Sequence, residues 1–183
     1  MSSDQKKILI VEDEPELADL YAVWLSTEYS VDVAYGAKEA MTKADESFDV
    51  MILDRRMPEQ PGRKVLRKVR DAEYQMRVAM VTAVEPDFDI LEMEFDDYAV
   101  KPVSRDDMLE LVSGLIDRES YTELVNKMYQ LSEKKALLEE RKNQRELSNN
   151  DEYQQLIEEL DAITDQVDEK AGQINTQQAF KDL

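Results

Sequence analysis

Residues 50–58 read Val-Met-Ile-Leu-Asp-Arg-Arg-Met-Pro, so that a run of four apolar residues ends in the carboxylate of Asp54. A short apolar run bounded by polar residues is typical of a strand that is buried on both faces of a parallel sheet. A second run of this kind, Ile8–Val11, ends in Glu12 and Asp13. Because parallel strands end at the same edge of a sheet, we expect these three carboxylates to lie close together.

The alternation of short apolar runs and helical patterns continues through residues 7–117. Strands are predicted at 8–11, 31–34, 50–53, 78–81 and 97–100. Apolar residues at helical spacing predict helices at 17–25, 37–44, 65–69 and 108–116, and a weaker helical segment at 88–93. Ser104 is the predicted N-cap of the last helix. Five strand–helix repeats predict an α/β fold with a doubly wound parallel sheet and right-handed crossovers.

Two more polar side chains follow predicted strands. Thr82 comes after the fourth apolar run, and Lys101 comes after the fifth. Three adjacent carboxylates raise one another's pKa unless a cation lies between them. Mg²⁺ prefers carboxylate oxygens, water and substrate phosphate oxygens as ligands. The residue types therefore predict a Mg²⁺ site at the edge of the sheet, with a hydroxyl and an amine beside it.

The composition excludes several classes of function. The chain of 183 residues contains no cysteine and no histidine, which excludes disulfides, Cys/His zinc sites and histidine acid–base catalysis. No apolar stretch is long enough to span a membrane, and the N-terminal residues lack a signal-peptide core, so we expect a cytoplasmic protein. The formal net charge of −19 argues against binding of nucleic acid. We also hypothesise that the host cytoplasm is very salty; the alternative is an ordinary acidic cytosolic protein, and composition alone does not separate the two. Stability measured against salt concentration would separate them.

Residues 118–183 have a different character, with no strand-like run and no proline. One apolar stripe at helical spacing consists of Tyr121, Leu124, Val125, Met128, Leu131 and Leu138. A second stripe consists of Tyr153, Leu156, Leu160, Ile163, Val167 and Ile174, close to a heptad repeat. Turn-forming residues at 148–151 separate the two stripes. The pattern predicts two helices that form an antiparallel hairpin or part of a coiled-coil dimer.

The motif Asp54-Arg55-Arg56-Met57-Pro58, with Gly62 beyond it, resembles the D-x-x-M-P-x-x-x-G motif of the receiver domains of two-component response regulators. The resemblance assigns residues 1–117 to a receiver domain. It implies a flavodoxin-like sheet with the strand order 2-1-3-4-5. It also implies that Asp54 is the phosphoacceptor.

The same resemblance implies the ligands of a Mg²⁺ ion. Asp13 and Asp54 would bind the ion directly, and Glu12 stands where a second acid holds a metal-bound water. The backbone carbonyl of Arg56 would be a further ligand. These assignments follow from the family pattern at matching positions.

Four further features are implied in the same way. Thr82 and Lys101 would contact the phosphoryl group, and Thr82 and Tyr98 would form the conformational switch. The Lys101–Pro102 peptide bond would be cis. The output surface would be the face formed by the fourth helix, the fifth strand and the fifth helix of the repeat, which leads into the helical tail.

The tail, residues 118–183, resembles HalX, a helical domain that follows receivers in haloarchaea. The best-matching stretch is 132–139, Ser-Glu-Lys-Lys-Ala-Leu-Leu-Glu. This resemblance agrees with the acidic composition of the chain.

Three functions are compatible with the sequence. The first is a signalling protein, not an enzyme, that is phosphorylated by a sensor histidine kinase and acts through its tail on a protein partner or a second copy. The second is a transcription regulator whose tail contacts DNA, although the tail has 9 basic and 15 acidic residues and a net charge of −6. The third is a Mg²⁺-dependent phosphohydrolase with Asp54 as the nucleophile. It lacks an acid two residues after Asp54, where Arg56 stands.

A basic patch on the third predicted helix has no role in these functions. It consists of Arg63, Lys64, Arg67, Lys68 and Arg70. Two interpretations stay open: the patch contacts an acidic partner, or it is a solvated face that balances neighbouring carboxylates within the chain, which the charge pattern favours.

Overall fold

The computed structural model describes residues 5–181, with side chains described from residue 5 to residue 174. The chain divides into two compact units that meet between Ile116 and Asp117. We call the first the sheet unit and the second the helical unit. Among the described residues, no helix combines the length and the apolarity that a membrane-spanning segment requires.

The sheet unit alternates strands and helices. Its strands are β1 (Lys7–Val11), β2 (Ser30–Ala34), β3 (Val50–Leu53), β4 (Arg77–Thr82) and β5 (Asp97–Val100). The helices between the strands are α1 (Pro15–Leu25), α2 (Ala37–Lys43), α3 (Gly62–Asp71) and a 3₁₀ helix (Phe88–Glu92). The next helix, α4 (Arg105–Arg141), is continuous across the boundary of the two units, and α5 (Gln144–Ser148) and α6 (Asp151–Lys181) complete the helical unit.

All five strands are parallel and lie in the order β2-β1-β3-β4-β5, which confirms the predicted fold class and strand order. The register pairs Val11 with Leu53 and Leu53 with Met80, so that β1 and β3 end side by side. Thr82, the last residue of β4, pairs with Val100, the last residue of β5. The residues that follow these strands therefore meet at one edge of the sheet.

Successive side chains of a strand point to opposite faces of the sheet, and both faces are covered. In β1, Leu9 and Val11 belong to the core beneath α2 and α3, whereas Ile8 and Ile10 belong to the core beneath α1 and the first part of α4. Because every apolar position of β1 and β3 is buried, these strands appear in the sequence as continuous apolar runs.

The weaker helical segment predicted at 88–93 is a 3₁₀ helix. None of its residues is buried, and Phe88 and Leu91 are 84% and 80% exposed. Most of the stability of an α-helix in a protein comes from packing of an apolar face. Without such a face, the segment forms only a short 3₁₀ turn.

The helical unit contains an antiparallel helical hairpin, one of the two arrangements that the sequence left open. Its core consists of Leu131, Ile163 and Val167, against which six half-buried apolar side chains pack. Lys127 forms an ion pair with Glu159 at 2.6 Å across the hairpin. The chain turns through α5, whose N-terminus carries a reciprocal cap between Asn143 and Glu146.

Ser104 is the N-cap of α4, as predicted. Its hydroxyl accepts a hydrogen bond from the backbone N–H of Asp107 at 3.2 Å, and the Asp107 carboxylate accepts one from the N–H of Ser104 at 3.0 Å. This reciprocal cap satisfies two of the backbone donors that the first turn of a helix leaves unpaired.

We predict that Gly62→Ala lowers the free energy of unfolding by about 1–3 kcal/mol, the usual cost of overpacking. A Cβ atom at this position would lie 2.0 Å from the backbone carbonyl oxygen of Asp54, so the loop has to move. Urea denaturation measures the change. Gly114→Ala is the matched control: its added Cβ has no atom within 4 Å, and alanine favours a helix by about 0.5–1 kcal/mol over glycine. Equal effects of the two substitutions would contradict this prediction.

Candidate functional site

The sheet brings the sequence-predicted site residues to one edge. Backbone hydrogen bonds extend the parallel ladder by one residue beyond the strand ends: the N–H of Asp54 donates to the carbonyl of Val11 at 3.0 Å, and the N–H of Lys101 donates to the carbonyl of Thr82 at 2.9 Å. These bonds place Asp54 beside the end of β1 and Lys101 beside the end of β4. Residues that are distant in the sequence thereby share one site.

Three carboxylates form a compact acidic cluster. Glu12, Asp13 and Asp54 each offer an oxygen, and these oxygens lie within 4.8 Å of one another. Glu12 is 2% exposed and Asp54 is 6% exposed, whereas Asp13 is half-buried. Carboxylate oxygens gathered in this way, with one side open to solvent, fit a hard divalent cation that keeps part of its water shell.

Lys101 bridges two of these carboxylates. Its Nζ donates hydrogen bonds to Glu12 Oε2 at 2.6 Å and to Asp54 Oδ2 at 3.0 Å. The Lys101 side chain is 13% exposed, so the ion pairs are partly shielded from water. A buried charge is tolerated when it is paired and hydrogen-bonded, and Lys101 supplies that pairing.

Burial and pairing act in opposite directions on the site's pKa values. Burial raises the pKa of Glu12 above its ordinary value, and the hydrogen bond from Lys101 offsets only part of that effect. Burial is the largest single effect on the pKa of Lys101 and lowers it, but the hydrogen bonds to Glu12 and Asp54 and the charges of both carboxylates together raise it by more, so its net pKa is raised. Lys101 is therefore an ammonium group at neutral pH.

The two oxygens of Asp54 have different donors. Oδ1 accepts a hydrogen bond from the backbone N–H of Arg56 at 3.1 Å, and Oδ2 accepts the bond from Lys101. Gly62 packs directly against the backbone carbonyl of Asp54, and its N–H donates to the carbonyl of Arg55 at 2.9 Å. The loop after β3 is thus closed tightly around the central carboxylate. The ligand role of the Arg56 carbonyl stays a prediction.

Thr82 and Tyr98 are linked through the loop that follows β4. The Thr82 side chain is fully buried, and its hydroxyl oxygen lies 3.4 Å from the N–H of Val84. The Tyr98 hydroxyl donates a hydrogen bond to the carbonyl of Val84 at 2.6 Å, and its ring packs against that of Phe95 with centroids 5.5 Å apart. This geometry links the two residues for which the family resemblance implied a switch. Their role in switching stays a prediction.

The sequence did not indicate a further ion pair beside the site. Arg55, the residue after Asp54, pairs with Asp89 of the 3₁₀ helix, and its side chain is 16% exposed. Asp89 lies 34 positions further along the chain, and no motif or periodicity links the two. The Lys101–Pro102 peptide bond is cis, as the family resemblance implied.

Two family models match the chain. The model of the response regulator receiver domain matches residues 8–113, and the model of the HalX domain matches residues 117–183. The first match covers more than half of the sequence, so the chain belongs to the response regulator receiver family. A HalX domain follows the receiver domain.

Known proteins agree with this assignment. A putative transcriptional regulator of Haloferax volcanii is 43% identical over 138 residues, which are 75% of this chain and 24% of that protein. The transcriptional regulatory protein TrcR of Mycobacterium tuberculosis is 34% identical over 122 residues, which are 64% of this chain and 48% of that protein. The chain therefore spans less than half of the length of either relative.

Among solved structures, the response regulator protein TrrA of Thermotoga maritima, in complex with Mg²⁺ and BeF, is 31% identical. The match has a TM-score of 0.53 and covers 60% of this chain and 98% of that protein.

We predict that Tyr98→Phe destabilises the protein by about 1 kcal/mol, the usual net contribution of one hydrogen bond. The variant removes the donor to the half-buried Val84 carbonyl and keeps the packing of the ring against Phe95. Urea denaturation measures the loss. Tyr129→Phe, at a side chain that is 64% exposed, is the control and should change stability very little. A Tyr98→Phe variant as stable as the parent protein would contradict the coupling.

Proposed function

We propose that this chain is a response regulator that accepts a phosphoryl group on Asp54 from a sensor histidine kinase. The observation that carries the proposal is the buried Asp54 carboxylate, which lies in a cluster with two other acids and 3.0 Å from the Lys101 ammonium. An acid with a cation and further oxygen ligands around it can receive a phosphoryl group, because this transfer needs positioning and charge neutralisation above all.

Different groups of the chain attack the phosphorus atom, pair with the phosphoryl oxygens and hold the attacking carboxylate in place. A carboxylate oxygen of Asp54 attacks the phosphorus atom in line, and the bond from phosphorus to the donor's nitrogen breaks as the donor's imidazole leaves. Lys101 pairs with one phosphoryl oxygen, and Thr82 donates its hydroxyl to another. The backbone N–H of Arg56, 3.1 Å from Oδ1, helps to hold the carboxylate in place.

The ion that fits the acidic cluster is Mg²⁺. Asp13, Asp54 and the carbonyl of Arg56 would hold it, with Glu12 on a metal-bound water. When bound, Mg²⁺ neutralises negative charge on the phosphoryl oxygens. The arrangement of carboxylate oxygens within 4.8 Å supports this site, as does the complex of TrrA with Mg²⁺ and BeF.

The output of the domain passes through the surface formed by the 3₁₀ helix, β5 and the first part of α4. Phosphorylation draws Thr82 toward the new charge, and Tyr98 responds through the Val84 carbonyl that its hydroxyl contacts. Residues 1–117 thus serve as the receiver, and residues 118–183 carry the signal to a protein partner or a second copy. We expect this signal transfer to take place in the cytoplasm.

Regulation of transcription through DNA contacts is the second candidate. It is favoured by the names of the two relatives, which are a putative transcriptional regulator and a transcriptional regulatory protein. The tail's net charge of −6 opposes it. Filter binding of duplex DNA by the full chain at high salt separates the candidates: retention on the filter would favour the second.

Hydrolysis of phosphomonoesters by Asp54 is the weakest candidate. It requires a general acid near the nucleophile, and the position two residues after Asp54 is Arg56, which cannot serve as one. Repeated turnover of a phosphomonoester by a small amount of the protein would favour it.

We predict that Asp54→Asn abolishes phosphoryl uptake and leaves the fold intact, because the amide is nearly isosteric with the carboxylate but is a poor nucleophile. The full chain is incubated with Mg²⁺ and acetyl phosphate, and intact-mass spectrometry detects the added phosphoryl group. Asp106→Asn is the control, since the Asp106 side chain is 95% exposed and lies in the first turn of α4. Labelling of Asp54→Asn equal to that of the parent protein would refute the assignment.

We predict that Mg²⁺ raises the unfolding midpoint of the parent protein and of Asp106→Asn but has little effect on Asp13→Asn. A ligand that binds only the native state at 100 times its Kd stabilises by about 2.7 kcal/mol. Without Mg²⁺, Asp13→Asn should be at least as stable as the parent protein, because one of three mutually repelling charges is gone. Thermal unfolding measured with Mg²⁺ and with a chelator tests both the stabilisation by Mg²⁺ and the stability of Asp13→Asn without the ion. Equal stabilisation of all three proteins by Mg²⁺ would argue against the site.

A further inference from the structure

The outward face of α3 carries positive charge in a strongly acidic chain. Val65, Leu66 and Val69 are the buried side of this helix. Its exposed side carries Arg63, Lys64 and Arg67, which we call the α3 basic face. The chain as a whole has 42 acidic and 23 basic residues.

The two interpretations that the sequence left open apply to different residues of the patch. Arg70 balances a carboxylate, because it pairs with Asp96 at 2.8 Å and donates to backbone carbonyls. Lys68 donates to the carbonyl of Met41. The three side chains of the α3 basic face form no hydrogen bond or ion pair with any residue that the structure describes.

Two carboxylates near the α3 basic face do not neutralise its charge. Arg63 and Arg67 border a groove of about 180 Å³ whose other side carries Glu92 and Glu94. Neither carboxylate comes within ion-pair distance of these arginines in the described part of the chain. The three cations are therefore accessible to an external anionic surface.

An anionic surface of matching spacing lies on α6. Glu158, Asp161, Asp165 and Asp168 follow one another at intervals of three, four and three residues, so they share one side of the helix. We call them the α6 acidic stripe. All four are exposed, whereas Ile163 and Val167 of the same helix are buried in the hairpin core. None of the four carboxylates forms a hydrogen bond or a close ion pair with another described residue, and the charge of Asp161 acts only weakly on Lys135.

We propose that the α3 basic face of one copy of this chain binds the α6 acidic stripe of a second copy. Arg63 and Arg67 are four residues apart, as are Asp161 and Asp165, so the charges of two aligned helices meet at the same interval of one helical turn. This inference is independent of the proposed phosphoryl chemistry, because neither surface includes a residue of the acidic cluster.

A second copy suits this face better than nucleic acid does. Binding of DNA requires many basic contacts, and the rest of the chain repels a polyanion strongly. The second copy presents its carboxylates in a short stripe, residues 158–168, that is about as long as α3. Its contact therefore needs only local complementarity.

The salt dependence of such an association has a distinctive form. Two chains of net charge −19 repel each other over roughly 30 Å in 0.01 M salt, and this repulsion is screened first as salt is added. Ion pairs in contact are screened only when the Debye length falls to about 3 Å, near 1 M. Association is therefore strongest at an intermediate salt concentration.

Reciprocal charge reversal tests the contact. The mass of the full chain is measured by sedimentation at several protein and salt concentrations. Reversal of the basic face with Arg63→Glu and Arg67→Glu should weaken association about tenfold or more, and so should reversal of the stripe with Asp161→Lys and Asp165→Lys. The protein with all four substitutions should recover association, because attraction is restored with the signs exchanged.

Controls separate this contact from general charge effects. Lys38→Glu with Lys134→Glu changes the net charge as the basic-face reversal does, at exposed positions outside both surfaces, and should leave association unchanged. All variants should take up phosphoryl groups as the parent protein does. The proposal would be overturned if the parent protein is monomeric at every salt concentration, or if the fourfold variant does not recover association. It would also be overturned if the basic-face reversal abolishes retention of DNA on a filter but leaves self-association unchanged.

Discussion

Buried negative charge at one edge of the sheet is the constraint on which the sheet unit depends. Glu12 and Asp54 are almost completely removed from water, and an unpaired carboxylate in such a place would cost several kcal/mol. The Lys101 ammonium offsets this cost by bridging both groups. The bridge requires the carboxyl ends of β1, β3 and β5 to lie at one edge of the sheet, and the parallel arrangement of the strands places them there. The strand order therefore positions the site, and the Lys101 bridge in turn stabilises this edge of the sheet.

Distribution of charge also shapes the rest of the molecule. Acidic residues outnumber basic ones by 42 to 23, so the position of each basic residue shows where negative charge is balanced. Lys101 forms ion pairs within the acidic cluster. Arg70 of α3 pairs with Asp96, and Arg55, beside Asp54, pairs with Asp89 of the 3₁₀ helix. Each of these pairs links segments that are distant in the chain. The α3 basic face is different, because its charges point outward and are available for recognition of another molecule.

Much of the fold could be predicted because its signals are local. Apolar runs such as 50–53 and 8–11 identify strands that are buried on both faces, and the carboxylates after them identify the edge at which they end. The segment at 88–93 shows the limit of this approach. Its apolar residues have helical spacing, but they find no surface to pack against, and the segment forms a 3₁₀ turn. The strand order came from the family motif around Asp54, since periodicity alone does not specify which strands are neighbours.

By itself, the sequence determined the five strands, the capped helix after Ser104, the helical tail and the set of acids at the strand ends, because these depend on residue type and on spacing over a few positions. Only the tertiary structure decided that Lys101 holds Glu12 and Asp54 together and that the Tyr98 hydroxyl contacts the Val84 carbonyl. It also decided which cations of α3 have a hydrogen-bond or ion-pair partner among the described residues. These contacts depend on distances of a few ångströms between groups that lie many residues apart. Such distances are set by the packing of the whole sheet and its helices, and no local pattern encodes them.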